Sequence, residues 1–496
     1  MLIYPFRHVF ATKDRARRID ELQGRWIPWW RRLNESERSR AFDDSFFFLP
    51  YVRELLFADA AFWPTDQRQE AISHLGKDST ARLADLANQN GVLRLTLHDQ
   101  ERIPLHAVTL ERGDDVIADL CIEWVDALLF PQAVGFLVIK VCITTPDVTA
   151  EHMRDTLRQL RQILPPIPGY EPATWRINTM PGAQPIAVRQ LIDGWLTGLA
   201  AQPTHPHGRR HKQPAVRSFT SSEYGNVYGQ SFRLYSYACL VETPNVAEQM
   251  PNDSPFASAN DRTLWELATC SDTSNADYAP HADNIRMLLD AGHLKLWNNW
   301  RGLALHDNVV FLANQASDFT RESLPHNVES EYLHLYLLTL YQKIRLSLMS
   351  GESMREGKRS VIGEQVRQSR ELVENLVHFR NLYWLTEVTF KPQGAAIYQR
   401  FRQGLGSAAL FEAVSAEVSS LQGYYESVLQ RGTNTLVNLL TFIGVPITVL
   451  TSIYNTNLFP AQSWQGFLLW LGVVVFGGWV LLRLFQFYLE RRKVRS

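Results

Sequence analysis

Seven residues near the end of the chain recur at a spacing that can do chemistry. Asn434, Asn438, Thr441, Val445, Thr448, Ser452 and Asn455 follow one another at intervals of four, three, four, three, four and three. That repeat places them on one face of a helix. Six of the seven carry amide or hydroxyl groups, while the other faces hold mainly Leu, Val, Ile and Phe. A polar face on an otherwise apolar helix must meet protein or water, because lipid cannot satisfy it. It reads as a dry seam between helices, or as the lining of an aqueous path. Two helices per chain cannot enclose such a path, so the second reading needs several copies about an axis.

Other chemistry-bearing clusters are weaker. The run His205-Pro206-His207-Gly208-Arg209-Arg210-His211-Lys212 could bind a metal or an anion, but its composition favours a solvated loop. Asp43-Asp44 and Asp114-Asp115 are candidate cation ligands between subunits, although paired surface acids are more often only solvated. Trp26, Trp29 and Trp30 read as core or subunit contact. Phosphate-binding glycine loops, GxSxG and HExxH are all missing, so the chain does not read as an enzyme. Cys121, Cys142, Cys239 and Cys270 form no CxxC pair and read as reduced structural thiols. With 50 Lys and Arg against 51 Asp and Glu, the net charge of −1 argues against a nucleic-acid polymer as partner.

The elements that would position the stripe follow from hydropathy. Thr435 to Tyr454 and Trp464 to Leu482 are both uncharged, and each has about the 20 residues that cross a bilayer. The connection NTNLFPAQS has no lysine or arginine. Arg431 precedes the pair, and Arg483, Arg491, Arg492, Lys493 and Arg495 follow it. The positive-inside rule then gives a multi-pass inner (plasma) membrane protein with both termini cytoplasmic and the lipid bilayer as a partner. No secretory leader is read at the start of the chain.

Upstream, Phe411, Val414, Val418, Leu421, Tyr425 and Val428 repeat at three and four. One long helix is expected from about Gly394 to Tyr454, weakest at Gly404-Leu405-Gly406. Helices from about Gly363 to Thr386 and Val328 to Met349 precede it. The division is therefore an α/β domain over 1–327, a helical stalk over 328–434, and a hairpin with basic tail over 435–496. Strands are expected at Leu2–Pro5, Val92–Leu97, Ala133–Ile143, Ser231–Val241, Leu294–Trp297 and Val309–Ala313. Helices are expected at Gln67–Asn88, Val148–Leu164, Ala187–Ala200 and Arg262–Thr269. Surface insertions fall near 202–226 and 243–261.

The first span ends in Pro446-Ile447-Thr448 and then Tyr454-Asn455-Thr456-Asn457. With a long preceding helix, a short outer loop, a second span and a basic tail, the C-terminal third resembles the CorA family of divalent-cation transporters. That family's usual ending is Tyr-Gly-Met-Asn, and here Asn455 and Thr456 replace the middle pair. The resemblance implies a funnel-shaped homopentamer passing cations, Mg²⁺ or another divalent ion, down their gradient under control of the cytosolic domain. Tyr454, Asn455, Thr456 and Asn457 would form the pore entrance. Asn434, Asn438, Thr441, Val445, Thr448 and Ser452 would line the path, where Thr and Asn oxygens suit an ion that keeps its water shell. The loop carries no acid, and no Asp or Glu occurs between Val388 and Leu410. These departures keep open a second reading, an effector on the same scaffold gated by a small molecule such as a nucleotide. No tightly bound cofactor is expected.

Overall fold

The computed structural model describes residues 1–8, 25–57, 91–102, 105–163, 172–199 (without 180, 181 and 183), 216–217, 230–240, 256–313 (without 257, 274–280 and 307), 317–356, 362–455 and 472. These fall into two compact units, one of residues 1–358 and 374–415, the other of 359–373 and 416–496.

The first unit is built on a mixed sheet of 13 strands among the described residues. They are β1 (Leu2–His8), β2 (Trp26–Pro28), β3 (Leu93–Leu97), β4 (Val108–Arg112), β5 (Asp115–Phe130), β6 (Val134–Ile143), β7 (Thr174–Ile177), β8 (Ile186–Ala187), β9 (Val216–Arg217), β10 (Arg233–Cys239), β11 (His293–Leu294), β12 (Trp300–Leu305) and β13 (Asn308–Ala313). The main order is β11-β12-β13-β10-β1-β6-β5-β4-β7-β8. Strand β1 pairs antiparallel with β6 on one side and β10 on the other, and β10 pairs parallel with β13. Strands β6, β10 and β13 therefore all run the same way. Pro5 sits within β1 without disrupting it: the β10 ladder reaches only to Ile3, so the donor that proline lacks has no partner to miss. In β6, VGFLVIKVCI supplies the β-branched residues a sheet favours, and its first six residues are buried.

Helices α1 (Glu35–Ser45), α2 (Pro50–Leu56), α3 (Ala150–Arg161), α4 (Val188–Leu199), α5 (Ala259–Thr269) and α6 (Ala282–Gly292) belong to this unit. Side-chain capping marks several of their starts. Asn34 and Glu37 form a reciprocal capping box on α1, Thr149 caps α3 and Ser258 caps α5. Leu157, Leu160, Trp195, Leu264 and Trp265 join the core formed on β4, β5, β6, β10 and β13. Then come α7 (Leu333–Glu356), α8 (Ile362–Leu382), α9 (Pro392–Gly404) and α10 (Ser407–Asn455). The long helix expected from Gly394 is two helices, broken where Gly406 takes a φ of +70°. A Cβ on Gly404 would lie 2.2 Å from the Ala304 carbonyl oxygen, and one on Gly292 would lie 1.9 Å from it. Both helices thus end against β12 only because these positions are bare.

The expected α/β domain is present, but the membrane hairpin is corrected. Among the described residues no helix is long and apolar enough to cross a membrane. Helix α10 has the length, 49 residues. However, Glu412, Glu417, Glu426 and Arg431 lie along it, and Thr435, Asn438, Thr441, Thr448 and Ser452 occupy the expected span. The funnel, the two-span transmembrane helix pair and the inner-membrane location are therefore not carried forward. The rest of the outer loop and nearly all of Trp464–Leu482 lie outside the described residues, as do the expected helix Gln67–Asn88 and most of both insertions.

Gly404→Ala should cost about 2 kcal/mol in urea unfolding, because the methyl meets backbone that cannot move aside. Gly194→Ala, with nothing within 4 Å among the described residues, should be neutral or stabilising by up to about 1 kcal/mol. The buried imidazoles of His8 and His334 are pushed down to about 4, chiefly by desolvation. The unfolded chain, titrating near 6.5, binds more protons between those values. Stability should therefore fall as pH drops from about 6.5 to about 4, by on the order of 3 kcal/mol per group. His334→Gln should flatten the measured slope.

Candidate functional site

A cleft of about 360 Å³ opens at the carboxyl ends of β6, β10 and β13. Its walls are Val141–Ile143 of β6, Ser236–Cys239 of β10 with Leu240, Leu312 of β13, Met1 and Leu2, and the first turns of α3. Open α/β sheets bind ligands at this end of parallel strands, because connections to helices leave a crevice there. Here the helix that follows β6 begins at the cleft: Val148, Thr149 and Ala150 line it, and Met153, Leu157 and Leu160 give it an apolar side. The Thr149 hydroxyl takes the His152 amide, and the Thr149 carbonyl takes that of Met153. The amides of Ala150 and Glu151, at the positive end of the helix, belong to the first turn that intrahelical bonding leaves free.

One polar group in the wall is orphaned. Ser236 is 7 % exposed, and its hydroxyl has no hydrogen-bond partner among the described residues. Buried hydroxyls are normally satisfied, and an unsatisfied one costs about 1–3 kcal/mol. Beside it, the Met1 amino group donates to the Tyr235 carbonyl at 2.6 Å, and desolvation lowers its pKa to about 5.

Behind the cleft lies a charged junction. Lys140 bridges Glu123 at 2.6 Å and Glu329 at 2.5 Å, and the Trp124 indole donates to Glu329 at 3.1 Å. Burial opposes the lysine's charge, yet the two carboxylates outweigh it and hold its pKa above the ordinary value. The Cys142 thiol donates to Glu123 at 3.0 Å. Burial, then this carboxylate, push the thiol up to about 12, so it remains protonated and unreactive.

The same strand reaches the start of the long helices. Tyr235 donates to the Val328 carbonyl at 2.7 Å, and Tyr237 donates to the Thr320 carbonyl. Phe319–Ser323 and Val328–Tyr332 are π-helical turns that lead into α7. Such turns are rare, and frequent where function needs a displaced backbone.

The residues singled out in the sequence do not gather here. Asn434, Asn438, Thr441, Thr448 and Ser452 are exposed along α10, with Val445 on the same helix, and Thr435, Thr441 and Thr448 turn their hydroxyls back onto carbonyls four residues earlier. Tyr454 and Asn455 close α10, while Thr456 and Asn457 lie outside the described residues, as does the 205–212 run. Asp44 pairs with His326 at 2.8 Å, Asp43 borders a shallow depression at the start of α1, Asp114 sits in the β4–β5 turn, and Asp115 begins β5 opposite Arg112. No cluster of three metal-ligating side chains occurs among the described residues. Trp26 and Trp29 are core, with Arg94 stacked over Trp29 at 4.5 Å. The cleft residues were missed, although an apolar strand followed within seven residues by a capped helix is a signal for them. The chain matches no family model and no curated protein.

The protonated Cys142 gives a direct test of this geometry. In native protein at pH 8, iodoacetamide should label it about a thousandfold more slowly than an ordinary thiol, read by peptide mass spectrometry. Glu123→Gln should speed that labelling. Ordinary reactivity of Cys142 in the folded protein would contradict the site as described.

Proposed function

We propose that the protein is a ligand-responsive, self-associating effector rather than an enzyme. Its α/β unit takes a small ligand in the cleft beside α3 and passes the event to the helices that follow. The observation that carries this reading is the orphaned Ser236 hydroxyl, buried in a crevice at the carboxyl ends of parallel strands. Strand β10 offers a route onward, since it lines the cleft and also holds both π-helical turns before α7. A ligand can shift such an equilibrium only by binding one arrangement better than the other, and an unmet hydroxyl gives it that difference.

Self-association is the second part of the proposal. The exposed row on α10, with Leu436, Val437 and Leu440 also exposed beside it, is the surface by which copies would meet. Cation binding by that assembly, for which the CorA resemblance is the ground, belongs to this part. It would place Mg²⁺ or another divalent ion against the Asn and Thr row.

The experiment separates the parts. Full-length protein is screened by thermal shift against nucleotides and divalent cations, with light scattering for subunit number. A ligand at a hundred times its Kd stabilises by about 2.7 kcal/mol. Ser236→Ala should raise the stability of the free protein by about 1 kcal/mol, by removing an unmet group. It should also reduce the ligand-induced shift. Loss of stability on Ser236→Ala, with every ligand shift unchanged, would remove the cleft from the account. A monomer at all concentrations would remove the assembly.

A further inference from the structure

Two of the four cysteines stand opposite one another. Cys121 of β5 and Cys142 of β6 are direct partners in the antiparallel ladder, so their side chains project from the same face of the sheet. Both are free thiols and both are partly exposed. A hydrogen bond nearby sets the local register, since the Thr144 amide donates to the Asp119 carbonyl at 2.8 Å. Hydrogen-bonded and open pairs alternate along an antiparallel ladder. Two residues further on, Cys121 and Cys142 therefore form a hydrogen-bonded pair, with Cα atoms about 5.5 Å apart. That separation lies inside the range of about 4.4–6.8 Å that a disulfide spans.

Each thiol has a partner of its own in this reduced state. The Cys121 sulfur lies 3.3 Å from Nδ1 of His106, and Cys142 donates to Glu123 at 3.0 Å. Glu123 comes within reach because it is the extra residue of the bulge between Ile122 and Trp124. The Cys121 contact is exposed, while that of Cys142 is half-buried. Burial, then the Glu123 carboxylate, raise both thiols above their ordinary range. Neither is a fast nucleophile toward a dissolved reagent. At equilibrium the same shifts favour oxidation, because the reduced form gains nothing from a stabilised thiolate.

We propose that Cys121 and Cys142 are a reversible redox pair, closed into a cross-strand disulfide by a small-molecule disulfide such as oxidised glutathione. The Cys121 thiolate attacks one sulfur of the reagent, breaking its S–S bond and releasing one glutathione thiolate. Cys142 then attacks the Cys121 sulfur of the mixed disulfide, forming the protein S–S bond and releasing the second glutathione. The proton of each protein thiol ends on a glutathione sulfur. Two protein thiols are oxidised, and one glutathione disulfide is reduced to two thiols. Cys142 is slow toward dissolved reagents, but this second step is intramolecular, and positioned groups act at effective concentrations that no solute reaches. The Cβ atoms of a hydrogen-bonded pair stand further apart than a disulfide prefers, so the closed bond is strained and reopens in excess thiol. Closure takes Cys142 off Glu123 and alters one wall of the cleft, which Cys142 lines. The chemistry does not depend on what the cleft binds.

Full-length folded protein is held in mixtures of reduced and oxidised glutathione and quenched with acid. It is then unfolded, its free thiols are alkylated, and the digest is read by mass spectrometry. In oxidised glutathione the peptides carrying Cys121 and Cys142 should appear joined, with Cys239 and Cys270 still alkylated. Excess reduced glutathione should separate them. Cys142→Ser should trap glutathione on Cys121 at a level at least about tenfold above wild type, because the intramolecular step is gone. Cys121→Ser should leave Cys142 free. A lasting glutathione adduct on wild-type Cys121 without joined peptides would overturn the proposal. So would joining that occurs only in urea, or glutathione on Cys142 in Cys121→Ser as fast as wild type forms the joined peptides.

Discussion

Strand β1 is hydrogen-bonded on both edges, and the α/β unit is organised by where those two ladders stop. Through Leu2–Arg7 it joins β6, and through Leu2 and Ile3 it joins β10. These pairings fix the distance between two strands that run parallel and would otherwise sit side by side. They place Tyr4 and Phe6, both fully buried, in the core beneath. Gly135 accommodates this, since a Cβ there would come within 2.4 Å of the Phe6 ring. The cleft opens between β6 and β10 beside these ladders.

Buried charge is handled differently on the two sides of β5. Asp126 is completely buried, and leaving it alone would be costly. Arg94 contacts it at 2.6 Å and Arg32 at 3.5 Å, while Trp29 and Trp124 cover the two guanidinium planes. Removing one partner of such a pair typically costs 3–5 kcal/mol, whereas the intact pair contributes little net stability. The cluster therefore fixes one arrangement of β2, β3 and β5 more than it strengthens it. The Lys140 junction is less enclosed, with Glu123 39 % and Glu329 33 % exposed by side chain. Water can compete there, which makes it the more easily rearranged of the two.

Much of this was legible in the sequence. The apolar run of β6, the helix after Thr149, the α4 and α5 helices and the strand at Asn308–Ala313 follow from periodicity and capping residues. The longest strand, β5, was missed because Asp115, Asp119, Glu123 and Asp126 interrupt its pattern. Only their distant partners, such as Arg94 for Asp126, show why acids are tolerated in it. Strand β12 was missed for a related reason, since Arg301 within it is held by Asp261, forty residues away. The candidate site was not read at all. Its defining feature is a register relation between residues 139–143 and 233–239, and no local pattern encodes which distant strands stand together. The stripe on α10 shows the opposite failing: a clear local period, whose setting the spacing alone does not give.

What links the cleft to the helices is the alternation of β10 itself. Tyr235 and Tyr237 stand two residues apart and so project to the same face of the sheet. Each spends its hydroxyl on a carbonyl of a π-helical turn, Val328 and Thr320. Ser236, between them, projects to the opposite face and into the cleft, where its hydroxyl is unmet. A shift of β10 along its axis by a fraction of a residue would change both sets of contacts together. It would give Ser236 a partner on one face and re-aim the tyrosines on the other. Turns with an extra residue per hydrogen bond can absorb such a shift by reverting to α-geometry, which a regular helix cannot do without losing a bond. The strand is therefore the element whose two faces carry the two halves of the proposed response.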